Sequence, residues 1–160
     1  MARQTMLHLQ CSGVAIASLV VGTLSILPAS AQTANFGTIE VASGFGSARA
    51  EGYTQGSFSL SSIANRDRAG NLCVGFADST PDHILLVERD LPRLSLQVRS
   101  EGDTTLLVQG NGTIRCGDDL SRSEADAVIQ DTDWKAGEYR VWVGSFESSV
   151  RIDYTLTVQE

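Results

Sequence analysis

The stretch "TTLLVQGNGTIRC", residues 104–116, decides the reading of this chain. Its first part, "TTLLVQG" (104–110), and its last, "TIRC" (113–116), are short runs rich in residues that suit a pleated strand. Between them stands Asn111-Gly112. Both residues accept positive φ, which a tight hairpin turn demands at its two central positions. The spacing predicts an antiparallel hairpin in which Thr105–Gln109 lies against Thr113–Gly117. That pairing carries Asp103, just before the first strand, towards Asp118 and Asp119, just after the second.

The same grammar repeats on both sides. "HILLVER" (83–89), "LSLQVRS" (94–100), "EYRVWVGSF" (138–146) and "VRIDYTLTV" (150–158) are short and bounded by Gly, Asp, Asn or Pro. Leu94, Leu96 and Val98 alternate with Ser95, Gln97 and Arg99, and Tyr154, Leu156 and Val158 alternate with Thr155 and Thr157. Period-two alternation predicts antiparallel sheets with one face buried and one wet. "FGTIEV" (36–41), "SFSLSSI" (57–63) and "LCVGFA" (72–77) add weaker strand signals. "ASGFGSARAEGYTQG" (42–56) reads as an exposed Gly- and Ser-rich loop, and "IANRDRAGN" (63–71) as a second polar loop. "DLSRSEADA" (119–127) has room for one helical turn capped by Ser121 or Ser123. No segment carries a sustained helical stripe. The expected fold class is all-β: an antiparallel, jelly-roll-like β-sandwich of about eight to ten strands.

The N-terminus has a different character. Arg3 precedes the apolar run "CSGVAIASLVVGTLSIL", which is followed by Pro28 and Ala29-Ser30-Ala31. A charged start, an apolar centre and an A-x-A site are the parts of a secretory signal peptide. A single-span anchor is the competing reading; the run is short and interrupted by Ser, Thr and Gly. The expectation is therefore a cleaved leader at 1–31 and one domain at 32–160, exported to the periplasm or the extracellular space. Cys11 leaves with the leader. Without Arg3 the formal charge of −7 becomes −8. That sign opposes nucleic acid and anionic lipid, so neither is an expected partner, and no membrane attachment remains after leader cleavage.

Two cysteines then remain, Cys73 and Cys116, in a chain bound for an oxidising compartment. An even pair there predicts a disulfide. Closing a loop of that length stabilises by ~4 kcal/mol in the chain-entropy model, less any native strain. Zinc is the weaker reading, because only His83 remains and no CxxC spacing exists.

Several stretches resemble reactive motifs and fail on detail. "GFGSARA" (44–50) opens like a dinucleotide fingerprint, but Arg49 stands where the third glycine belongs and no helix follows. Asp82-His83 lacks a G-x-S-x-G serine, and neighbours on a strand point to opposite faces. His83 is expected at a strand start, bonded to backbone. "DTDWKAGE" (131–138) begins like a calcium loop but has Lys135 and Ala136 where a ligand and glycine belong, so it reads as a turn with Trp134 packed beneath. The acidic corner is the one serious candidate. Asp103, Asp118 and Asp119 converge on the hairpin's open end, with Glu124 and Asp126 following. Carboxylates so close repel one another, and calcium would relieve them. Alternatively each aspartate caps a turn through its own backbone.

With those strands in hand, "DTTLLV" (103–108), "CGDD" (116–119), "AGEYRVWVG" (136–144) and "YTLTV" (154–158) resemble the bacterial pre-peptidase C-terminal (PPC) domain family over roughly residues 83–159. The chain also resembles small exported bacterial proteins of unassigned role. The PPC resemblance implies a jelly-roll-like sandwich without catalytic residues of its own, usually appended to secreted proteases and other exported enzymes. Some members bind calcium or extracellular polymers such as collagen or chitin. Here a leader and a short β segment precede the resembling region, and Phe45, Tyr53 and Trp142 form no aromatic platform. The expected function is a non-enzymatic module that binds or scaffolds in the envelope or outside the cell, its partner a protein or a polysaccharide. The alternatives are an accessory or regulatory factor of a secreted hydrolase or peptidase, and a purely structural envelope protein.

Overall fold

A computed structural model describes residues 33–121 and 124–160. The expected leader lies outside them, as do residues 122 and 123. Among the described residues twelve strands run in chain order: β1 (Thr38–Val41), β2 (Ser47–Tyr53), β3 (Phe58–Ser59), β4 (Phe76–Ala77), β5 (His83–Val87), β6 (Leu91–Ser100), β7 (Thr104–Gly110), β8 (Thr113–Gly117), β9 (Asp119–Ser121), β10 (Glu124–Trp134), β11 (Gly137–Ser145) and β12 (Asp153–Gln159). The count passes the expected range because β3, β4 and β9 are fragments of two or three residues. A 3-10 turn (Leu60–Ser62) interrupts the second weak strand signal. Among the described residues no helix is long and apolar enough to cross a membrane.

The strands form two packed sheets, so the all-β sandwich is observed. One sheet has five strands in the order β2-β12-β6-β10-β9. The other has seven: β7 lies along one edge of β11 and carries β8 on its far side, while β5 and then β4 share the other edge of β11. Pairing is antiparallel except between β1 and β5, which run parallel. Leu85, Val87, Leu106, Val108, Val141 and Val143 from the larger sheet meet Leu94, Leu96, Val98, Ile129, Leu156 and Val158 from the smaller. Burying side chains of this size stabilises by about 1.5–3 kcal/mol each.

The expectation of one wet face fails for β7 and β11. Residues 104–108 and 141–145 are buried without a break. Leu107 and Trp142 point away from the main core into a second cluster with Leu60, Cys73, Ala77 and Cys116. The 57–77 segment thus covers the outer face of this sheet, and a strand covered on both sides has no polar face to alternate.

Two segments form strands that were not expected. Residues 47–53, read as loop, form β2 against β12. Its inward residues are Ala48, Ala50 and Gly52, too small to print an apolar alternation. Gly52 is required there, because a Cβ would run into Tyr154 and Phe36. Residues 124–134, read partly as a helical turn and partly as a turn, form β10, the longest strand. The hairpin at Asn111-Gly112 forms, with φ of 48° and 68°, but one residue off the expected register: Leu106 rather than Thr105 lies opposite Gly117, and Gly110 rather than Gln109 opposite Thr113, because the turn takes two residues and not three.

Candidate functional site: the acidic end and its surroundings

β7 begins directly after Asp103, and β8 ends directly before Asp118. The register Leu106↔Gly117 therefore delivers Asp103, Asp118 and Asp119 to one end of the sandwich. One carboxylate oxygen from each lies within 4.8 Å of the others, and all three residues are exposed. Partial desolvation raises the Asp103 pKa above the usual carboxylate range, and the charges of Asp119, Asp118 and Glu147 raise it further. Asp118 is likewise raised by desolvation and by Asp119, against the lowering effect of the Asp119 backbone N–H that it accepts. That bond is a local cap of the kind short polar side chains make.

Of the two acids that follow in sequence, Asp126 leaves this corner. Asp126 turns to β6, accepting the Ser100 N–H and hydroxyl at 2.9 Å each. The Glu124 side chain lies outside the described atoms. Glu147 joins instead, and sequence spacing gave no sign of it. It sits beyond β11, whose last pair, Ser145↔Thr104, puts the β11–β12 turn beside Asp103. The Phe146 N–H donates to the Asp103 carbonyl at 3.2 Å, and the Phe146 ring is 54% exposed. A mostly apolar hollow of about 240 Å³ opens there between Phe146, Val150 and Ile152, with Asp103 and Glu147 on its lining. The corner offers a cation a hydrophobic neighbour as well as charge.

A larger concavity of about 940 Å³ crosses the same end of the smaller sheet, lined by Tyr53, Arg99, Arg151 and Asp153 among others. Of its aromatics, Tyr53 is covered on one face. The Arg151 guanidinium lies 3.4 Å from the Tyr53 ring centroid and donates to Asp153 at 3.2 Å. Tyr53 consequently offers no open stacking face on that side.

The remaining sequence candidates are held in internal contacts. Cys73 and Cys116 form the expected disulfide, with Cα atoms 5.3 Å apart. The 63–72 loop lies along the outer edge of β8: Arg68 N–H donates to the Ile114 carbonyl and Asp67 accepts the Cys116 N–H, each at 3.1 Å. Asp82 and His83 are both buried, and they part as neighbours on a strand should. Asp82 accepts the Val143 N–H at 2.8 Å. His83 does not bond to backbone as expected; its Nε2 meets the Tyr154 hydroxyl at 3.0 Å. Trp142 packs in the outer cluster and Trp134 is fully buried, as their expected core roles require.

No protein-family model matches the chain, and no curated protein matches it. Among solved structures, the chain is similar to PliG of Aeromonas hydrophila, a periplasmic lysozyme inhibitor of g-type lysozyme. The TM-score is 0.44 and the identity 15%, over 79% of this chain and 98% of that one. At that identity no site residue carries over.

Proposed function

We propose that the chain is an exported, non-catalytic β-sandwich module that binds a partner in the cell envelope or outside the cell through its acidic end. The observation that carries this reading is the convergence of Asp103, Asp118 and Asp119 beside the exposed Phe146. Carboxylates rimming an apolar hollow suit the basic side chains of a protein surface, where charge steers the encounter and the ring supplies buried area. The resemblance of residues 83–159 to the PPC family supports the same class of role, and so does a disulfide in a chain with a signal-like start. Buried Asp82 and His83 support a non-enzymatic reading, because neither side chain meets solvent.

Calcium is the second reading of the same corner, favoured by three carboxylate oxygens within 4.8 Å of one another. The test is a pull-down from the host envelope and culture medium, with and without calcium, using the exported form and an Asp103→Asn/Asp118→Asn/Asp119→Asn variant. A protein retained by the first and lost by the second is the expected result. If that protein is a secreted hydrolase, the chain is its accessory factor. Retained polysaccharide moves the role to polymer binding. No retained partner in any arm leaves a purely structural envelope protein and removes the proposal.

A further inference from the structure

We propose that β2 is a self-recognition edge, through which two copies of this chain join their five-stranded sheets into one of ten strands. Among the described residues β2 lies at the end of its sheet and pairs only with β12. Along Ser47–Tyr53 the other side of the strand takes no backbone hydrogen bond among the described residues. The β8 edge, by contrast, is closed by the 63–72 loop through Arg68 and Asp67. An open edge is a template for a further strand, and proteins ordinarily deter that with charged side chains.

The charges on β2 deter other strands but suit a second β2. Arg49 and Glu51 are exposed, and neither has an ion partner among the described residues. Two β2 strands running antiparallel about a two-fold axis at Ala50 set Arg49 of one copy opposite Glu51 of the other, twice. Shifting the axis to residue 49 sets arginine against arginine; shifting it to residue 51 sets glutamate against glutamate. Cross-strand neighbours favour opposite charges and disfavour like ones, so the strand selects one register of itself. Residues of the same parity then face each other, which keeps the core-facing residues of both copies on one side. Those residues need cover. Phe45, Ala48 and Ala50 pack on the core but remain only partly buried. A strand laid against β2 extends the apolar layer over them.

The test uses charge reversal on the exported protein, read by sedimentation and by light scattering across concentration. Wild type is expected to show a monomer–dimer equilibrium. Arg49→Glu carries two glutamates on the edge and Glu51→Arg two arginines, so each alone repels itself and dimerises at least about tenfold more weakly. Mixing the two restores association, because both edge glutamates of the first variant then face the edge arginines of the second. Recovery in the mixture also shows that both variants are folded. Where recovery fails, near-ultraviolet circular dichroism establishes that each is native. A wild type that stays monomeric throughout overturns the proposal. So does a dimer that both native single variants leave unchanged, or native variants that fail to associate when mixed.

Discussion

The Nε2 of His83 and the hydroxyl of Tyr154 lie 3.0 Å apart between the two sheets, one at the start of β5 and the other near the start of β12. The bond therefore joins the two sheets through a polar contact between side chains that are 0% and 4% exposed. Phe36 closes over it, its ring centroid 5.8 Å from His83 and 6.4 Å from Tyr154. A buried polar pair stabilises little in net terms, but a broken one leaves a desolvated group behind.

Tyr154→Phe should accordingly cost about 1–3 kcal/mol in chemical denaturation, because His83 loses its partner while the packing is nearly unchanged. His83→Leu should cost a similar amount by stranding the tyrosine hydroxyl. The double variant should be less destabilised than the sum of the two, since neither polar group then remains unpaired. Strict additivity would show that the pair is not coupled.

Asp82 and His83 give the protein an acid–base balance that hides itself. Burial pushes the Asp82 carboxyl up to about 7, against the backbone N–H of Val143. Burial pushes His83 down to about 4. Between pH 4 and 6.5 the native state holds a proton on Asp82 that the unfolded chain has released, so this residue makes stability fall as pH rises. Over the same window the unfolded chain holds a proton on His83 that the native state lacks, so that residue makes stability rise. Each slope is at most about 1.4 kcal/mol per pH unit, and the two oppose each other. Relative to wild type, Asp82→Asn should make stability climb more steeply with pH from 4 to 6.5. His83→Gln should make it fall with pH, up to about 7. Denaturation midpoints over that range decide the matter, and unchanged slopes in both variants would refute it.

Arg115 presents an asymmetric buried ion pair. Its Nε donates to Asp131 at 2.7 Å, its Nη2 reaches the carbonyls of Thr132 and Asp133 at 3.2 Å each, and its guanidinium lies 4.0 Å from the Trp134 ring centroid. The Arg115 side chain is 2% exposed, while that of Asp131 is 23% exposed and also has Arg68 at 3.6 Å. Removing the acid strands a buried cation; removing the base leaves a partly solvated anion with a second partner. Asp131→Ala should thus cost about 3 kcal/mol, and Arg115→Met, which keeps a chain over Trp134, distinctly less. Thermal melts of the two variants give the order directly, and the reverse order would contradict this account.

What the sequence disclosed depended on whether a contact followed from strand pattern. Asn111-Gly112 set a hairpin whose register was legible to within one residue, close enough to place Asp103 beside Asp118 and Asp119. Each step was local. β2 stayed hidden because Ala48, Ala50 and Gly52 give its inner face no apolar signature, and β10 because Asp126 and Asp131 are satisfied by Ser100 and Arg115 from elsewhere in the chain. Glu147 was invisible for a different reason: its place depends on β11 lying against β7, a pairing between distant strands. The same holds for Tyr154, whose partner on the opposite sheet no alternation could name.

The acidic end separates repulsion from ion binding by the sign of one substitution. With chelator present, Asp103, Asp118, Asp119 and Glu147 only repel, and the raised Asp103 and Asp118 pKa values mean that acidification relieves them. Asp103→Asn should then melt slightly above wild type at low salt, by a few tenths of a kcal/mol, with the gain fading as salt screens the charges. Calcium at millimolar concentration would invert the order. Wild type, with three carboxylates to coordinate the ion, should gain melting temperature by mass action, whereas Asp103→Asn should gain little. A wild type indifferent to calcium, with the variant still ahead, would assign the corner to its carboxylates alone and leave it free to meet a basic partner.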